Sequence, residues 1–137
     1  MNMKKVKTRE LTGAALDWAV AVCEGRKIAH DPMGFGGHTS EGGYWVWEDH
    51  GIRNPKTVYA KIGRQYSPST LPAQGHPIIE RELICTICPS TGDFWDARKP
   101  TFPPDYVRGP TPLIAAMRCY VASKMGEEID IPEELVA

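Results

Sequence analysis

The chain has 137 residues, 42% of them hydrophobic and 24% charged, with a formal net charge of −1. That length suits one domain, residues 1–137, and the usage excludes bulk disorder, coiled coil and collagen. No apolar run approaches the roughly 18 residues of a membrane span, and the basic start MNMKKVKTRE has no apolar stretch behind it, so neither a membrane segment nor a secretory signal is expected.

Charge is unevenly placed. Lys4, Lys5, Lys7 and Arg9 make the start basic, and residues 1–8 read as a solvated terminus. Glu127, Glu128, Asp130, Glu133 and Glu134 make residues 127–137 an acidic tail. The body between is balanced, so duplex nucleic acid is not an expected partner.

In chain order, Leu11-Thr12-Gly13-Ala14-Ala15-Leu16 opens a helix, with Thr12 at the N-cap and Leu11 stapled onto Leu16. Leu16, Ala19, Val20 and Cys23 recur at helical spacing, and Gly25 supplies the stop. Asp17 and Glu24 fall off that face, and Trp18 covers its edge. Residues 26–30 read as a short strand ended by Asp31-Pro32. The glycine-rich stretch 34–43 reads as a hairpin connection rather than a phosphate loop. Phosphate loops feed a helix, whereas Tyr44-Trp45-Val46-Trp47 is strand chemistry. Residues 58–62 alternate weakly as a strand.

Tyr66-Ser67-Pro68-Ser69-Thr70 is a polar turn, because Pro68 lacks a donor and constrains Ser67. Pro77 suits the first position of a short helix over 77–82. Leu83-Ile84-Cys85-Thr86-Ile87-Cys88 is dense in strand formers, and Phe94–Ala97 is its partner across the 90–93 turn. The plainest element is the last helix: Thr111 caps it, Pro112 takes its first position and Gly126 stops it. Leu113, Ile114, Met117, Tyr120 and Val121 form its stripe. Residues 129–131 read as a short edge segment before a frayed tail. The sum is an α+β fold: two amphipathic helices packed on one face of a small, mostly antiparallel sheet.

Catalytic signatures are absent: there is no G-x-S-x-G, P-loop or H-E-x-x-H. Cys85 and Cys88 form a C-x-x-C, but strand formers separate them and no second ligand pair exists, so buried reduced thiols are expected and no metal or cofactor. Two polar features remain. One is the loop Tyr66, Ser67, Ser69, Thr70, Gln74 and Gly75. The other is Thr111 at a helix start, with Arg118 two turns on. Free N–H groups and the helix dipole suit such a start to an anion, against the plainer and preferred reading of Thr111 as an N-cap.

The stretches 11–21, 66–70, 73–75, 77–82 and 109–123 resemble the NinX-like proteins of tailed bacteriophages and their prophages. The similarity runs, with gaps, from about Lys4 to Pro132. Leu71-Pro72 stand where the family is expected to carry Asp-Trp, His76 stands where Gly is expected, and 31–62 differs from the usual member. The resemblance implies a phage accessory product of the bacterial cytoplasm, and it implies no reaction. The first expectation is a non-enzymatic binder of a small anionic ligand such as a nucleotide, with a counter-defence role. Its site would be Tyr66, Ser67, Ser69, Thr70, Gln74, Gly75, Thr111 and Arg118. The alternative is a protein-interaction module that inhibits a host or phage enzyme through the glycine-rich loop and the Tyr44–Trp47 run.

Overall fold

Caps and stops place the helices. In the computed structural model, which describes residues 2–31, 42–49, 57–100 and 106–136, α1 spans Gly13–Cys23, α2 Pro72–Glu82 and α3 Pro112–Met125. Thr111 accepts a hydrogen bond from Ile114 N at 3.1 Å, and Pro112 follows at the first helical position. Thr12 takes the N-cap backbone conformation of α1 without a side-chain bond. The second helix starts earlier than residue 77. Pro72 takes the first-turn position and Pro77 lies inside, where its missing N–H leaves one carbonyl of the first turn without its helical partner. Leu83 ends α2 in the left-handed region, at φ 56°.

Among the described residues the strands form three small sheets rather than one. β2 (Ile28–Asp31), β3 (Gly43–Asp49) and β4 (Thr57–Lys61) make an antiparallel meander, with Ala29 opposite Trp45 and Val46 opposite Ala60. Of the 34–43 stretch expected to connect the first hairpin, residues 34–41 lie outside the described residues and Gly43 opens β3. β5 (Cys85–Ile87), β6 (Trp95–Arg98) and β7 (Val107–Gly109) make a second antiparallel sheet.

The third sheet corrects the reading of the start and gives the edge segment expected at 129–131 its partner. Residues 3–7 are a strand, β1 (Met3–Lys7), paired antiparallel with β8 (Glu128–Pro132). The basic and acidic ends neutralise each other across this ladder: Lys7 stands opposite Glu128, and Lys5 Nζ lies 3.7 Å from Asp130. A 3₁₀ turn over Thr8–Glu10 leads from β1 toward α1, and another over Glu133–Leu135 follows β8.

The main core joins α1 and α3 to the β5–β7 sheet. Leu11, Leu16, Val20, Met117, Tyr120, Val121 and Val107 are all essentially inaccessible there, while Cys23 and Ile114 sit at its margin and Leu113, only half-buried, is not part of it. A second cluster, Ala21, Tyr44, Val46, Ile62 and Tyr66, holds the meander against the other side of α1. Gly109 lets β7 touch α3, since a Cβ there would come within 2.6 Å of Ala115 N. Where α1, α2 and α3 meet, Arg81 grips Glu24 through two nitrogens at 3.1 and 2.6 Å, and Tyr120 donates to the same carboxylate at 2.5 Å. Among the described residues, no helix is long and apolar enough to cross a membrane.

Candidate functional site

The polar loop after β4 is built around a buried carboxylate. Asp17 does not sit on a wet helix face. It is 1% exposed, and its two oxygens accept from Ser69 N at 3.0 Å and Ser67 Oγ at 2.8 Å. Burial pushes its pKa up, and the bonds from Ser69 and Ser67 pull against that. With its own proton given to Asp17, Ser67 Oγ accepts from Thr70 Oγ1 at 2.6 Å. Gln74 closes the loop by accepting from Ser67 N and donating to Gln65 O, both at 2.6 Å. Tyr66 is buried, Arg26 lies over its ring at 5.9 Å, and burial pushes the phenol pKa up. Gly75 packs where a Cβ would strike the Pro68 carbonyl and the Leu113 side chain, so the loop is seated on α3. Hydroxyls and amides that sequence marks as ligand contacts are thus largely engaged with one another.

Ser69, Thr70 and Thr111 do meet, on a cleft of about 240 Å³ completed by Pro112, Leu113 and Ile114. Its capacity for an anion is small. Pro112 has no N–H, Thr111 Oγ1 takes Ile114 N, and Thr111 O takes Ala115 N. Among the described residues, that leaves Leu113 N as the donor of the first turn. No cation lines this cleft among the described residues.

Arg118 lies elsewhere. Its Nε donates to Leu11 O at 2.6 Å and its Nη1 to Arg108 O at 2.9 Å, which carries the guanidinium to the edge of β7. Burial presses its pKa down and the charge of Glu10 opposes this, but a guanidinium stays charged. Two of its five N–H groups are spent on carbonyls, and three remain. Around it opens a cleft of about 550 Å³ lined by Arg9, Asp96, Tyr106, Arg108 and Arg118. Arg9 donates to Tyr106 O at 3.3 Å. Arg108 reaches Asp96 at 3.4 Å and stacks 3.3 Å from the Phe94 ring centre. Neither Arg9 nor Arg118 has a carboxylate within ion-pair reach among the described residues, so the cleft carries excess positive charge.

No local spacing announces Arg9, Tyr106 and Arg108 as a group. Arg9 and Tyr106 are 97 residues apart, and only the meeting of the first 3₁₀ turn, β7 and α3 brings them together.

The cysteines also differ from expectation. Cys85 and Cys88 are exposed, because the strand ends at Ile87 and Cys85 faces outward. Cys119 is buried and its thiol pKa rises to about 11, while burial beside Glu24 pushes Cys23 up to about 12. Among the described residues, no cluster of His, Cys, Asp and Glu converges as a metal site.

Fold and clefts together define an α+β protein in which a polar loop, largely bonded to itself and to Asp17, stands apart from an arginine-lined cleft. The family model described as "Bacteriophage P22, NinX" matches residues 7–124, and the chain belongs to that family. No curated protein matches it.

Proposed function

We propose that this NinX-family protein is a phage accessory protein that acts in the bacterial cytoplasm by binding a small anionic ligand, a nucleotide or other phosphate compound, without transforming it. The observation that supports the reading is the pair of guanidiniums, Arg9 and Arg118, facing one cleft with no carboxylate partner among the described residues. Arg118 belongs to the set singled out from sequence, and Arg9 and Arg108 extend it. The loop from Tyr66 to Gly75 then acts as a brace that fixes α1 against α3, rather than as the contact surface. Guanidiniums suit phosphates because their forked donors match two oxygens at once. A phosphate-bearing host signal held there would be withdrawn from its receptor, which is how a binder without catalysis serves counter-defence.

Thermal denaturation with pyrophosphate, nucleoside triphosphates and cyclic dinucleotides tests this. A ligand at a hundred times its Kd stabilises by about 2.7 kcal/mol. Arg9→Ala and Arg108→Ala should each weaken binding at least about tenfold, the loss of one charge-assisted pair. Gln74→Ala should leave binding intact. Absence of any anion-dependent stabilisation would defeat the reading and turn attention to the interaction-module alternative, to be pursued by pull-down from infected cells.

A further inference from the structure

The cleft continues onto a sheet face. Ala97 and Val107 are fully buried against α3 and stand opposite each other in the ladder. Side chains alternate along a strand, so Asp96, Arg98 and Arg108 point the other way, to solvent. Tyr106, just before β7, is 41% exposed, and Arg98 lies 5.8 Å over its ring. Like Arg9 and Arg118, Arg98 has no carboxylate within ion-pair reach among the described residues. Among the described residues, Arg9, Arg108 and Arg118 thus line one cleft with Tyr106 and Asp96, Arg98 lies over the Tyr106 ring, and Asp96 is already engaged by Arg108.

We propose that this face binds single-stranded nucleic acid, with Tyr106 as the platform for one base and Arg9, Arg98 and Arg108 on the flanking phosphates. The inference rests on the anion-binding reading of the cleft and extends it to a polymer. A stacking ring amid guanidiniums is the chemistry that holds unpaired strands without sequence preference. A duplex offers phosphates but no free base face to Tyr106. The footprint is short. Beyond Arg9 the surface turns neutral, where Lys7 and Arg9 share a cavity with Glu127 and Glu128. About three or four phosphates are contacted, so log Kd should change with log salt by a slope of roughly 2–3, at about 0.7 per phosphate for single strands.

Fluorescence anisotropy on the full chain, with a labelled oligothymidylate of roughly 12 nucleotides, its duplex and thymidine monophosphate, decides the matter. The single strand should bind at least about tenfold tighter than either comparator, because stacking and several phosphates act together. Tyr106→Ala should weaken it about tenfold, with Tyr106→Phe restoring most of the loss, and Arg98→Ala should lower the salt slope by about 0.7. Circular dichroism checks that the variants fold. Equal affinity for duplex, or indifference to Tyr106→Ala, would overturn the proposal. Binding of the monophosphate or of pyrophosphate, with no preference for the oligomer, would overturn it while leaving the anion cleft standing. Binding of none of them would remove both.

Discussion

Asp17 is the residue whose environment differs most from its place in the sequence pattern. It lies on a helix among alanines and valines, and it is buried with no cation within ion-pair reach among the described residues. Its bonds from Ser67 and Ser69 hold the loop, yet burial dominates and raises its pKa above the ordinary value of 3.8. The native state therefore keeps this proton longer than the unfolded chain does. Stability from this group is complete below pH 3.8 and is lost as the pH rises through the folded pKa. Glu24 and Glu82 act in the opposite sense. Burial works against Glu24, but Arg81 and Tyr120 bring its pKa down, and Lys99 does the same for Glu82, so their contributions fade as the pH falls. Comparing wild type with Asp17→Asn isolates the Asp17 effect. The amide can still accept from Ser69 N and donate to Ser67 Oγ, so the variant should fold and should lack the wild type's loss on raising the pH. Asp17→Ala should instead cost about 1–3 kcal/mol at neutral pH, because Ser69 N is left buried without an acceptor. Denaturant melts of the three proteins from acid to neutral pH check both statements.

Elements were legible where their signals are adjacent in sequence. Thr111, Pro112 and Gly126 mark the ends of α3, and the Leu16–Val20 spacing marks α1. α2 was harder to read, because Pro77 mimics a helix start while an earlier proline makes the real one. The β1–β8 pair was not legible at all. The first strand looks like a charged end and the last like an unpartnered edge segment, and their partnership spans the chain: Thr8 Oγ1 reaches Gly126 O at 2.8 Å across 118 positions. The arginine cleft was hidden for the same reason, with Arg118 alone visible from its helix. Junctions between elements therefore test the structure better than their interiors. Gly109→Ala would drive a methyl to 2.6 Å from Ala115 N and 2.8 Å from its Cα, and backbone cannot yield as a side chain can. The variant should lose at least about 1–3 kcal/mol, in the range of overpacking. It should also weaken the cleft, since the carbonyl that holds Arg118 belongs to the neighbouring Arg108. Gly92→Ala is the control: its φ of +72° costs strain, but nothing lies within 4 Å of the added methyl. A Gly109→Ala protein as stable as wild type would mean that β7 does not press on α3.

At the scale of the whole molecule, the described residues form two hydrophobic clusters on opposite sides of α1, and their coupling decides whether the protein unfolds as one body. The larger joins α1, α3 and the β5–β7 sheet, and the smaller seats the β2–β4 meander. Two described residues pack against both: Trp18 on α1 and Leu135 in the turn after β8. Neither is fully buried, so neither anchors a core by itself. Their effect is to make the loss of one cluster costly to the other. Wild type should then show a single transition, with tryptophan fluorescence and far-ultraviolet circular dichroism superimposing. The double variant Trp18→Ala, Leu135→Ala removes the bridge while leaving both clusters' own contacts in place. Placed in a Trp95→Phe background, it retains Trp45 and Trp47, both on β3, as reporters of the meander. Fluorescence should lose its native signal at lower denaturant than the helical dichroism, because the smaller cluster now stands on its own residues. Coincident curves in the double variant would show that the clusters are coupled through α1 itself. A separation already present in wild type would show that the bridge never made them one cooperative unit.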